Sequence, residues 1–154
     1  MKLIYYLLFV LTTAIVLSCS QTAEEIEKEF INSKIDTFEH IGDEQWMVVL
    51  PGLGCKGCIQ EGEAFMVNHI NNKKIKFVLT RVESIKLLEQ KTGVKIKEHN
   101  NIFIDRENYF ELSNNNSIYP LIIELKEKKM SKYEFQSPAN GMAFERLSDR
   151  LAMN

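Results

Sequence analysis

Cysteine is scarce in this chain. Three cysteines among 154 residues exclude a disulfide-framework fold, and a chain of this length can bury a core without such staples. A dominant sign of charge is also lacking. Nineteen Lys and Arg stand against 21 Asp and Glu, and the basic residues are scattered. No nucleic-acid partner is expected, because such a partner asks for a clustered basic face. Repeats, low-complexity tracts and any sign of a second domain are missing too. What is present, 45% hydrophobic and 26% charged residues, is the balance of one ordinary globular domain.

Long apolar runs are confined to the amino terminus. Residues 1–18 carry one charge, Lys2, and then an apolar run to Leu17. At about 15 residues the run is short for a spanning helix and suits a signal-peptide core. It ends in Val16-Leu17-Ser18-Cys19, which resembles the lipobox of bacterial lipoproteins, with Leu17 bulkier than usual. The resemblance implies that Cys19 is acylated and becomes the new amino terminus, palmitate being the type of chain expected. More than one acyl chain gives durable attachment, where a single one anchors marginally. Cys19 would then be a blocked thioether, leaving the other two cysteines to pair with each other or stay free. Loss of Lys2 takes the formal charge from −2 to −3. Ser20, in place of a retention Asp, leans toward the outer membrane over the inner one. An uncleaved anchor or a cleaved secreted protein are the competing readings. All three place the rest of the chain outside the cytoplasm, in the cell envelope. The expected organisation is a signal peptide over 1–18, an acylated tether over 19–25 and a domain over 26–154.

Within the domain, apolar residues recur at helical spacing at Ile26, Phe30, Ile31, Ile35 and Phe38, which predicts a helix broken at Gly42-Asp43. Trp46 to Leu50 reads as a buried strand ended by Pro51-Gly52. Gly52, Gly54 and Gly57 mark a tight loop around Cys55. A helix follows to Ile70, with Glu61 and Glu63 read as acids of its first turn. Ile75–Val82 reads as a strand. Ser84 to Gly93 reads as a short helix with Ser84 as N-cap, Ile85, Leu87 and Leu88 as apolar residues and Gly93 as stop. Asn101–Asp105 is a short strand. Leu121–Leu125 and Met130–Phe135, joined by a charged turn, form a hairpin. Ser137-Pro138 reads as the N-cap and first turn of a last helix, whose apolar face is Phe144, Leu147 and Leu151. The order is helix, β, α, β, α, β, β-hairpin, α: an α/β domain with a central mixed sheet flanked by helices.

The chemistry centres on Cys55-Lys56-Gly57-Cys58. Two cysteines three apart at a helix start can close a small disulfide without distorting the helix. The free N–H groups of the first turn and the helix dipole stabilise a thiolate at the first cysteine, and the thiolate is the nucleophile. Lys56 adds positive charge in the same direction. Cys58, one turn in and more buried, can resolve a mixed disulfide by intramolecular attack.

From Trp46 onward the element order and the Cys-x-x-Cys resemble the thioredoxin-like superfamily, nearest the membrane-tethered thiol–disulfide oxidoreductases of bacterial envelopes. The resemblance implies catalytic Cys55 and Cys58, no diffusible cofactor, protein or peptide thiols and disulfides as substrates, and a redox partner that recycles the pair. It also implies that a cis-proline faces the pair and opens the hairpin. Pro120 is the candidate, with Tyr119 offering its backbone to an extended substrate by strand addition. Two features depart from the family. Gly54 stands where a Trp often precedes the first Cys, and apolar Val49 stands where thioredoxins carry a buried acid. Glu61 or Glu63 would have to serve as general base, against the simpler reading that they face water.

Other readings stay open. One Cys pair with scattered His40, His69 and His99 falls short of the four ligands of structural zinc. Copper(I) delivery by two thiolates is chemically allowed, with Met47, Met66 and His69 as possible neighbours. A static disulfide in a non-catalytic adaptor lipoprotein is the bland alternative, although so short a loop gains little from a staple. No Pro-x-x-x-Thr/Ser-x-x-Cys precedes Cys55, which argues against a thiol peroxidase. The helix dipole, Lys56 and the missing acid lean toward an oxidant, whereas most tethered relatives are reductants, so the direction is open.

Overall fold

The structure, a computed structural model, describes residues 21–153. The leader, Cys19 and Ser20 lie outside the described residues. Among those described, no helix is long and apolar enough to cross a membrane.

The first described element is helix α1 (Ala23–Thr37), started by a capping box in which Thr22 and Glu25 satisfy each other's backbone N–H groups. Strand β1 (Trp46–Pro51) is buried along its whole length. Helix α2 (Lys56–His69) crosses over to β2 (Ile75–Thr80), which pairs with β1 in parallel. Helix α3 (Ile85–Thr92) is capped by the Ser84 side chain and stopped by Gly93 in a left-handed conformation. Strand β3 (Ile102–Asp105) extends the parallel half. Strands β4 (Leu121–Lys126) and β5 (Lys129–Phe135) form the hairpin, and α4 (Ala143–Met153) is the last described element. The five strands lie in the order β3-β2-β1-β4-β5, with β4 antiparallel to β1.

Two apolar layers flank this mixed sheet. Along β1, Val48 and Leu50 join Phe65, Met66, Phe77, Leu79, Phe144 and Leu147 on one side. Met47 and Val49 join Ile31, Ile35, Val78 and Ile123 on the other. A strand buried on both faces explains why β1 reads as an unbroken apolar run rather than an alternating one.

Several expectations are corrected. Ile26 and Leu87, read as apolar-face residues, are 53% and 64% exposed. The buried stripe of α1 is Glu27, Ile31 and Ile35, and α3 buries no residue fully. Ser137 does not start the last helix. Ser137 to Asn140 closes a turn, in which Asn140 Nδ2 donates to the Phe135 carbonyl, and α4 begins at Ala143.

Candidate functional site

Parallel strands end at the same edge of a sheet, and an antiparallel neighbour begins there. The carboxyl ends of β1 and β2 and the start of β4 therefore bring three loops together: Gly52–Cys55, Arg81–Glu83 and the 3₁₀ turn Asn115–Ile118 with Tyr119-Pro120. Cys55 is the N-cap of α2, with φ −63° and ψ 100°, and its carbonyl takes the first helical hydrogen bond from Ile59 N. Cys58 lies one turn in. The two are joined as a disulfide, Cα atoms 5.4 Å apart. Cys58 is buried and Cys55 half-buried, while Lys56 and Gly57 are exposed. The arrangement matches the order of access that thiol exchange asks of an attacking and a resolving sulfur.

Gly54 has φ +147°, and a Cβ there would come within 2.7 Å of Ile118 Cα. No side chain fits, so the loop lies directly on the 3₁₀ turn, and Cys55 N donates to the Ile118 carbonyl at 3.0 Å. Gly52 is equally tight against the next loop, its Cβ position 2.9 Å from Val82 Cα. Arg81 has φ +55°. Its amide donates to Asn108 Oδ1, its guanidinium reaches the Ser117 carbonyl at 3.4 Å, and it pairs with Glu111. Two apolar side chains beside Cys55 face solvent: Leu53 and Ile118, 42% and 37% exposed. A cavity of about 170 Å³ opens next to the loop between α2 and α3, lined by Pro51, Gly52, Ile59, Val82 and Leu87 among others.

Pro120 does open β4 at this edge, but none of the described peptide bonds is cis, so Tyr119–Pro120 is trans. Tyr119 is extended, at φ −109° and ψ 145°, the conformation a residue before a trans proline favours. Buried Pro120 lends its carbonyl to Gln136 N at 2.9 Å, joining the ladder without needing the N–H it lacks.

The acids also sit differently from expectation. α2 starts at Lys56, so its first turn holds no acid. Glu63 pairs with Lys91 on α3. Glu61, one turn beyond Cys58, accepts from Gln136 Nε2. Trp46 lies at the opposite end of β1 from the cysteines and packs under Arg150. Met47 and Met66 fill the two core layers. His69 ends α2, 11 positions past Cys58, about 16 Å along a helix. It packs on Phe65, and its pKa is lowered by burial. Among the described residues no three His, Cys, Asp or Glu gather as a metal site would need.

Sequence reasoning missed two polar residues here. Gln136 is 2% exposed. Besides holding Glu61, it donates to the Gly141 carbonyl and accepts from Phe144 N, tying β5 to the start of α4. Glu27 is 7% exposed and accepts from Asn114 Nδ2, Asn116 Nδ2 and Tyr133 OH at 2.6, 2.6 and 3.0 Å. The spacing of Glu27 four before Ile31 and eight before Ile35 was the available signal for its burial.

The fold and site thus define an α/β protein presenting a close cysteine pair at a helix start. No protein-family model matches the chain, and no curated protein or solved structure matches it.

Proposed function

We propose that the protein is a thioredoxin-like thiol–disulfide oxidoreductase of the bacterial envelope, held to a membrane through an acylated Cys19 and acting on protein or peptide thiols and disulfides. The observation that carries the reading is the disulfide at the start of α2, with Cys55 accessible and Cys58 buried. The strand order supports it: a βαβ unit, β1-α2-β2, with an antiparallel hairpin added on the β1 side and a helix after it. The trans Tyr119–Pro120 bond departs from that family; the position of Pro120 at the entry to β4 does not.

In the reducing direction, the Cys55 thiolate attacks one sulfur of a substrate disulfide. A Cys55–substrate bond forms and one substrate thiolate leaves. The Cys58 thiolate then attacks Cys55 Sγ, closing the Cys55–Cys58 bond and releasing the second substrate thiolate. Two electrons pass to the substrate, and the reverse sequence oxidises a dithiol. The thiolate forms among the free N–H groups of the first turn of α2. Exposed Leu53 and Ile118 offer apolar contacts to the residues flanking a substrate cysteine, and Tyr119 offers extended backbone.

The test is the equilibrium reduction potential of the pair, with trapping by a Cys58→Ser variant. A working pair has a potential well above roughly −300 mV, and the variant accumulates mixed disulfides through Cys55. A potential at or below that value with no trapped partner points to a static disulfide in a non-catalytic adaptor. Exchange activity that survives Cys58→Ser refutes the two-cysteine mechanism. Acylation is checked by the mass of the membrane-extracted protein and its loss in Cys19→Ser.

A further inference from the structure

A buried carboxylate on α1 is connected to the disulfide through the 3₁₀ turn, although the two lie in distant parts of the sequence. Glu27 accepts hydrogen bonds from Asn114 and Asn116, at the start of that turn, and from Tyr133 on β5. All three donors are neutral. Asn114 Oδ1 in turn accepts from Asn116 N, so the turn and its anchor are one hydrogen-bonded unit. At its far end Ile118 accepts the Cys55 N–H and fills the space above Gly54. A carboxylate can satisfy several donors at once, and no neutral side chain of similar size accepts as many. Burying a carboxyl group is costly unless hydrogen bonds compensate, and a fully satisfied buried network rigidifies the segments it joins.

From this connection we infer that Glu27 is a positioning residue of the redox site: it fixes the 115–118 turn, and thereby the wall against which an extended substrate lies beside Cys55. The inference rests on the exchange function proposed above. Glu27 touches neither sulfur. It acts on substrates long enough to lean on Ile118 and Tyr119, and a small dithiol that meets Cys55 alone is indifferent to it.

The experiment compares two reductants of the oxidised full-length protein: an extended dithiol peptide with apolar residues around its cysteines, and dithiothreitol. In each case two substrate thiols become a disulfide and the Cys55–Cys58 bond becomes two thiols. Quenched-flow alkylation and mass spectrometry follow the reaction. Glu27→Gln keeps the size but supplies a donor where two amides already donate. It should slow the peptide about tenfold, the scale of loss from a small misplacement of a substrate-positioning element, while dithiothreitol changes less than twofold. Asn116→Ala, on the turn itself, should reproduce the selective loss and decides the matter if Glu27→Gln does not fold. The double variant should be no slower than the slower single one, since both remove one linkage. Equal slowing of both reductants, or of neither, in folded variants overturns the positioning role alone. A wild-type protein that neither reductant can reduce overturns the exchange function, and this role with it.

Discussion

Replacing Gln136 with leucine should weaken the domain by about 3 kcal/mol. Its side chain is buried and links three segments: Nε2 to Glu61 on α2 and to the Gly141 carbonyl, and Oε1 to the amide of buried Phe144 in the first turn of α4. Leucine fills similar space, so no cavity term enters. The Glu61 bond counts for little, because Glu61 is exposed and can turn to water. The other two bonds are worth about 1 kcal/mol each, and the Phe144 amide left without its acceptor costs about 1–3 kcal/mol more. Added apolar burial offsets about 1 kcal/mol. Against a total stability of about 5–15 kcal/mol this is a large loss, and it corresponds to a drop in Tm of about 10 °C for a domain of this size. Urea unfolding followed by Trp46 measures it cleanly, since Trp46 is the only tryptophan and is buried. The midpoint should fall with an unchanged slope. Glu61→Ala should change stability by less than about 0.5 kcal/mol. A Gln136→Leu loss under about 1 kcal/mol would refute the assignment of Gln136 as the tie between β5 and α4.

Gly54→Ala should lose about 1–3 kcal/mol and disturb the Cys55 environment, because both the φ of +147° and the contact with Ile118 exclude a Cβ; urea unfolding reads the loss. Lys128→Gly should instead stabilise by about 0.5–1 kcal/mol in the same assay, since Glu127 and Lys128 form the two-residue hairpin loop with φ +51° and +63°, a turn that favours glycine. His69, its pKa lowered by burial, takes up a proton more readily once unfolded. Stability should therefore fall as pH drops through about 6.5, and His69→Gln should flatten that dependence in unfolding midpoints measured across the range. Tyr133 is pushed up to about 12 by burial, then by its bond to Glu27 and the charges of Glu27 and Glu24. The stability it contributes is present below pH 10 and lost as pH rises from about 10 toward 12; absorbance titration should show the Tyr133 phenol titrating late, absent in Tyr133→Phe and moved toward 10 in Glu27→Gln.

Features settled by neighbours along the chain were legible in the sequence, and features settled by distant neighbours were not. Ser84 and Gly93 were readable as the ends of α3 because a cap is made by side chain and backbone within one turn. β1 was readable because a doubly covered strand writes itself as an apolar run. The start of α4 was not: the amide of Phe144 finds its acceptor eight residues back, in Gln136, so Ser137-Pro138 imitated a helix start that the Ser137–Asn140 turn takes for itself. Glu27 was hidden for the same reason, its partners lying 87, 89 and 106 residues away. Of the face read at Ile26, Phe30, Ile31, Ile35 and Phe38, the last four do meet the core; only Ile26 faces out, and Glu27 takes the inward place beside it.

The cysteine pair divides along the same line. Its placement at the mouth of α2 is local, and a strand, a glycine loop and a helix in sequence were enough to locate it. Its walls are not local, because they come from the turns after β2 and before β4. The absence of a tryptophan before Cys55 therefore takes on a different meaning. At position 54 the backbone is at φ +147° and Ile118 occupies the place where a side chain would begin. A tryptophan could not stand there without expelling the turn. What meets the loop on that side is Ile118, delivered from 63 residues later and bonded through its carbonyl to the Cys55 amide. Gly54 thus reads as the condition for this turn to dock: the space a side chain at position 54 would need is taken by Ile118, brought from across the sheet edge.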